Sequence, residues 1–204
     1  MIKNIVFDFG DVFINLDKEA TIRELFQLGV AEITFEMMEV YQLYEVGKLT
    51  TTEFVDRFTE LYPEISENDF MNAWNAILKD FPLHRLEFLK ELQSSNQYRL
   101  FLLSNTNDLH ISWIQNDWGD LQYNEFKNCF EKFYLSHEIH LRKPNADIYG
   151  FVLQQNQLNP EETFFIDDTE ENTNTAKKLG IKVWNINPDT EDVVDLLTKK
   201  EFIS

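Results

Sequence analysis

The chain contains a single cysteine, Cys129, so no disulfide can form within its 204 residues. That fits a reducing compartment. Cys129 lies in an apolar stretch with no base beside it in sequence, and reads as a buried structural thiol rather than a nucleophile. Long hydrophobic runs are missing as well. No stretch reaches the ~18 apolar residues that span a membrane, and no N-terminal run suits a secretory signal, so the expected location is cytoplasmic. Positive charge is scarce: 18 Lys and Arg stand against 36 Asp and Glu, a net charge of −18. Such a balance argues against nucleic acid or an anionic membrane as partner. An anionic substrate would need a local cation. There is no internal repeat, no low-complexity linker and no suggestion of a Ser–His nucleophile pair.

What is present is apolar surface. With 43% hydrophobic residues and 18 Phe, the chain can build one good-sized core, or a core with a smaller insertion. The organising stretch is Ile5-Val6-Phe7-Asp8-Phe9-Gly10-Asp11-Val12. Its apolar start predicts a strand buried on both faces, as in the middle of a parallel sheet. Asp8 then stands at the carboxyl end of that strand, where open α/β sheets place ligands. Gly10 allows a sharp turn and a close backbone approach.

From residue 17 to 82 the pattern is helical. Ala20, Ile22, Leu25 and Phe26 share one helix face, and Met37, Met38, Tyr41 and Tyr44 recur at helical spacing before Gly47. Thr50-x-x-Glu53 and Ser66-x-x-Asp69 open two more helices. A connection of about 65 residues is far too long for a βα loop, which predicts an all-helical insertion. From 83 to 204 strands alternate with helices: strands at Arg99–Leu103, Phe130–Leu135, Thr163–Ile166 and Lys182–Ile186, and a closing helix at Thr190–Leu197. The expected fold is therefore α/β, a Rossmann-like parallel sheet of about five strands with helices on both faces. The core comprises 1–16 and 83–204, and the helical cap 17–82.

Functional groups gather at four strand ends: Asp8, Ser104, Lys143 and the pair Asp167-Asp168. A parallel sheet brings such ends to one edge. At ~4 Å and an effective dielectric of ~20, each like-charge carboxylate pair costs about 4 kcal/mol. A hard dication with oxygen ligands removes that cost, and Mg²⁺ suits one or two carboxylates plus phosphate oxygens. Lys143 adds charge that holds a carboxylate and a phosphoryl group together. Ser104 and the N–H groups after it donate to phosphoryl oxygens at a helix start. A carboxylate can itself attack phosphorus, forming an aspartyl-phosphate that water hydrolyses.

Taken in order, VFDFGDV, LLSNT, the Lys of RKP, and FFIDDTEEN resemble the four motifs of the haloacid dehalogenase-like (HAD) hydrolases. The resemblance spans essentially the whole chain, with the insertion similar to that family's helical cap. It looks most like the branch of bacterial sugar-phosphate phosphatases, such as those for alpha-D-glucose 1-phosphate. It implies Asp8 as nucleophile, Ser104 and Asn105 as phosphate binders, and Lys143 as the positive charge. It also implies Mg²⁺ held by Asp8, the Gly10 carbonyl and Asp168, with Asp167 and Asn172 supporting its waters. The expected substrate is a small phosphorylated metabolite. One departure stands out: phosphatases of the family usually carry a second Asp, a general acid–base, where this chain has Gly10. A general acid–base is typically worth about 10² to 10⁴ in rate. Its absence suggests an ester with a good leaving group, such as an anomeric phosphate, or a substitute group. Asp11 and Asp17 are near in sequence, but an adjacent position on an extended chain points elsewhere.

Alternatives remain at this level. Asp167 can serve the metal site or simply cap the following helix, and Ser104 can be an N-cap. A dehalogenase or phosphonatase-type hydrolase, or a non-catalytic phosphometabolite binder, would use the same residues. His137-x-x-His140 lacks the further ligands of a zinc set and reads as ordinary histidines. Tyr41, Tyr44, Glu45 and Trp74 fit the cap's own core better than substrate contacts.

Overall fold

A computed structural model describes residues 1–203. Five strands, β1 (Asn4–Phe7), β2 (Arg99–Ser104), β3 (Lys132–Leu135), β4 (Thr163–Asp167) and β5 (Lys182–Asn185), form one parallel sheet in the order β3-β2-β1-β4-β5. β1 is central, with Phe7 level with Leu102 of β2 and Ile166 of β4. Side chains along a strand alternate between faces, and here both faces are apolar. Ile5, Phe7, Leu102 and Ile166 pack with Leu89 of α5 (Leu83–Ser94) and Phe126 of α6 (Asp108–Lys127). Val6, Phe101, Leu103 and Phe165 pack with Tyr149 of α8 (Ala146–Asn156) and Ala176 of α9 (Glu170–Lys178). The sheet is covered on both sides, which is why its strands read as continuous hydrophobic runs.

Between β1 and α5 lie α1 (Ala20–Gln27), α2 (Phe35–Glu45), α3 (Thr51–Leu61) and α4 (Glu67–Asn75). Their starts follow local chemistry. The Thr50 hydroxyl accepts from the Glu53 N–H while Glu53 returns to the Thr50 N–H, and the Ser66 hydroxyl accepts from the Asp69 N–H. They share a separate apolar cluster that includes Tyr44, Phe54, Phe58 and Phe70, joined by Leu109 of α6. The segments leading in and out run side by side: Asn15 N–H donates to Asp80 O, Lys79 N–H to Asn15 O, and Asp17 N–H to Ile77 O. This pairing anchors the four helices beside the carboxyl edge of the sheet. The short α7 (Ser136–Ile139) follows β3, and α10 (Lys200–Ile203) ends the fold.

Two expectations change. Ala20 and Leu25 of α1 are buried, whereas Ile22 and Phe26 are 44% and 48% exposed; α1 packs on α4 through a narrower stripe than the sequence pattern suggests. The closing helix is a 3₁₀ segment at Val193–Thr198. Asp192 caps it, and three-residue spacing puts Val193 and Leu196 on one buried face. Within α6, the helix breaks at Gly119, whose φ is +74°.

Gly47 shows how tightly the helical unit meets the sheet. Its φ is +66°, and a Cβ there would lie 2.0 Å from the carbonyl oxygen of His137. Gly47→Ala should therefore cost about 2 kcal/mol or more in a urea unfolding experiment. Gly29→Ala, also at positive φ but with nothing within 4 Å, should lose less. Equal losses would mean that backbone strain alone, not the contact with His137, sets the cost.

Candidate active site

Asp8 follows β1 and donates its N–H to Ile166 O at 2.9 Å, so β4 fixes its position. Lys143 lies on the loop between α7 and α8 and is only 1% exposed. Its Nζ sits 2.7 Å from Asp8 Oδ1 and 2.6 Å from Asp167 Oδ2. The loop is held by Asn105, just past β2. Asn105 Nδ2 donates to Lys143 O at 2.8 Å, and Asn105 Oδ1 accepts from Lys143 N–H at 2.9 Å. Both ends of this amide are thus committed to the lysine's backbone. Its side chain positions Lys143, which leaves any contact from Asn105 to a phosphoryl group to its main-chain N–H. Ser104 ends β2, is 3% exposed, and lines a cavity of about 110 Å³ together with Gly10, Leu16 and Asn105.

Asp167 is fully buried, and all its acceptor capacity is directed inward. Oδ1 accepts from the Thr169 N–H (2.8 Å) and from Asn172 Nδ2 (3.0 Å), while Oδ2 accepts from Lys143. Asn172 therefore acts on Asp167 itself. Asp168 is less buried and pairs with Lys18, which also lies 2.9 Å from Asp11 Oδ2. One carboxylate oxygen from each of Asp8, Asp167 and Asp168 falls within 4.8 Å of the others. Among the described residues, this is the grouping of three potential ligands that fits a cation. Asp167 is saturated by protein donors, whereas Asp8 spends only Oδ1 on Lys143. The donor set fits a hard dication approached through Asp8 and Asp168, with Asp167 and Asn172 behind them.

The charges explain the protonation states. Burial, countered by Lys143 and reinforced by Asp167 and Asp168, pushes the Asp8 carboxyl up to about 7. Burial by itself would lower Lys143, but Asp167 and Asp8 together hold it above the usual lysine range, so it stays charged.

Position 10 has a physical explanation. A Cβ on Gly10 would meet Leu16 Cδ1 at 2.6 Å, so an apolar side chain occupies the space where a second acid would stand. The turn is also not extended, because Asp11 has a φ of +55°. Asp11 Oδ1 accepts from the Leu16 N–H, and its other oxygen meets Lys18. The sequence reading passed over Asp11 and missed Lys18; a lysine ten residues after Asp8 was the available signal. Asp17 instead pairs with Arg23 at 2.9 Å, which holds its carboxyl below the usual range. The histidines behave as ordinary ones: His137 Nδ1 bonds Thr106 O and His140 Nδ1 bonds Val46 O. Cys129 is buried, and that burial raises its thiol.

The class this fold and site define is a carboxylate-centred α/β hydrolase. Residues 5–186 match the family described as haloacid dehalogenase-like hydrolase, and the chain belongs to that family. A D-ribitol-5-phosphate phosphatase of Bacteroides thetaiotaomicron is 30% identical over 190 residues, covering 90% of this chain and 91% of the relative. A HAD family enzyme from the same organism, solved as a magnesium complex, is 35% identical with a TM-score of 0.86, covering 97% and 99% of the two chains. An aspartate-to-alanine variant of that enzyme, with magnesium and inorganic phosphate, matches at 33% identity and a TM-score of 0.85 over 98% and 100%. A HAD-like hydrolase from Porphyromonas gingivalis is 30% identical, with a TM-score of 0.84 over 97% of each chain. No helix among the described residues is long and apolar enough to cross a membrane.

Proposed function

We propose that the chain is a Mg²⁺-dependent phosphomonoester hydrolase working through an aspartyl-phosphate on Asp8, with a small phosphorylated metabolite as substrate. The observation that carries this reading is Asp8 itself: a buried carboxylate clamped by Lys143 and backed by Asp167 and Asp168. Bound between Asp8, the Gly10 carbonyl and Asp168, Mg²⁺ would supply the charge that lets carboxylates and a phosphate dianion meet. Lys143 and the N–H groups following Ser104 orient the phosphoryl oxygens. A carboxylate oxygen of Asp8 attacks phosphorus, the ester P–O bond breaks, and the leaving oxygen takes a proton from solvent water. Water then attacks the same phosphorus, releasing inorganic phosphate and restoring the Asp8 carboxylate. The four-helix unit serves as a cap that excludes bulk water and selects the substrate. Gly10 offers no acid to the leaving group, so esters with a more acidic leaving group should turn over faster than simple alkyl phosphates. The magnesium and phosphate complexes of the relatives, and the phosphatase named above, support this reading.

Phosphate release from a panel of phosphometabolites, with Mg²⁺ or with EDTA, tests it. Turnover lost on chelation is the expected result; no metal-dependent release from any ester would leave a binding protein or a different hydrolase. A second outcome concerns stability. Because the folded carboxyl of Asp8 is raised from 3.8 to about 7, its contribution is fully present below the unfolded value and lost as pH rises through about 7. Mg²⁺ binds the ionised form, so the rise in Tm on adding it should be larger at pH 8 than at pH 5.5. Equal rises would show that Asp8 does not take part in binding.

A further inference from the structure

The four-helix unit encloses a second cavity of about 270 Å³, lined by apolar side chains including Leu25, Ile33, Met37, Phe58 and Phe70. Tyr41, Ile77 and His110 belong both to this wall and to that of the smaller cavity holding Gly10, Ser104 and Asn105. Tyr41, Ile77 and His110 thus stand between the cavity beside Ser104 and the one in the cap. Ile22, Met38 and Leu61, each 39–44% exposed, also line the cavity.

Apart from Arg57, the polar groups in this wall are engaged within the chain. The Thr21 hydroxyl donates to Trp74 O at 3.0 Å, and the Tyr41 hydroxyl to Glu45 Oε1 at 2.5 Å. Trp74 Nε1 donates to Asn107 Oδ1 at 3.4 Å. His110 Nε2 faces Trp74 O at 3.3 Å and Nδ1 faces Asn107 Nδ2 at 3.2 Å, which sets the neutral tautomer with the proton on Nε2. Of the charged lining, Lys18 is engaged by Asp11 and Asp168, and Arg57 is exposed. A polyol placed here would leave most of its hydroxyls without partners, a loss that hydrocarbon avoids. The adjoining cavity combines apolar Phe9, Ile14 and Leu16 with polar Ser104, Asn105 and Asn107. An apolar cavity of about 150 Å³ holds benzene, so this one has room for a bicyclic ring or a medium alkyl chain.

We propose that this cavity is a subsite for an apolar leaving group, making the preferred substrate a phosphate monoester of a hydrophobic alcohol rather than of a polyol. The proposal rests on the phosphatase reading for its chemistry. Its test holds leaving-group acidity nearly constant while changing apolar size. Octyl phosphate is compared with ethyl phosphate, and 1-naphthyl phosphate with phenyl phosphate, alongside D-ribitol 5-phosphate. The larger member of each pair should show kcat/KM at least about tenfold higher, and both should exceed the polyol ester. Met38→Trp, or Ile22→Trp should the first fail to fold, fills the cavity and should bring the octyl-to-ethyl ratio down toward one. Binding without turnover is read with 1-naphthol, which should raise the Tm of the wild type and not of the filled variant. Equal kcat/KM within each pair, or a preference for ribitol 5-phosphate, would overturn the subsite and leave the phosphatase reading intact. A naphthol-dependent rise in Tm with no ester hydrolysed would support the subsite while removing the phosphatase reading.

Discussion

Asp8→Asn should reduce phosphate release by on the order of 10⁴-fold or more, while leaving a folded protein. The amide has nearly the shape of the carboxylate but cannot attack phosphorus. In the metal-free protein the substitution removes a charge that burial, Asp167 and Asp168 all disfavour. At pH 8 without Mg²⁺ the variant should therefore unfold at a urea concentration equal to or above that of the wild type. Lys143 keeps Asp167 as a partner, so its own charge is not stranded. The rise in Tm on adding Mg²⁺ should shrink, since one ligand is neutral. Release that survives in Asp8→Asn would mean the nucleophile has been misplaced, whatever the metal does.

Lys143→Met has the opposite effect on stability. Lys143 is 1% exposed and lies within 2.7 Å of two carboxylates. Removing one partner of a buried ion set leaves uncompensated charge and typically costs about 3–5 kcal/mol. The loss should be largest at high pH with EDTA, where Asp8 would otherwise ionise. Mg²⁺ should recover part of the stability but little of the turnover, because the group that draws the phosphoryl oxygens toward Asp8 is gone. Lys143→Arg should not restore activity: the planar guanidinium is bulkier than an ammonium in a place with no spare volume. Urea midpoints with and without Mg²⁺, set beside phosphate release, separate the two roles. A variant as stable as the wild type in EDTA would show that the buried pair of aspartates does not need this lysine.

The number of strands, their parallel sense and the two-sided burial of the sheet were legible because they follow from local pattern. Ile5-Val6-Phe7 and Thr163-Phe164-Phe165-Ile166 are too apolar for one-sided strands, and helices of fitting length separate the strands. The capping box at Thr50 and the N-cap at Ser66 were legible for the same reason, since their hydrogen bonds close within three residues. Asp8, Lys143 and Asp167 could be singled out as strand-end or loop groups, because a parallel sheet must gather such ends at one edge.

The division of labour among those groups was decided by the tertiary structure. Asn105 looked like a phosphate binder, yet its side chain spans to the Lys143 backbone, 38 positions away. Lys18 had no motif to mark it, and it reaches Asp168 only because the chain doubles back through the left-handed turn at Asp11. Ile22 and Met38 carried the helical period of buried residues, but they line a cavity instead of filling a core. Periodicity records which residues share a face. Whether that face meets another helix or an open space depends on how distant segments pack, and that is set by contacts across the whole chain.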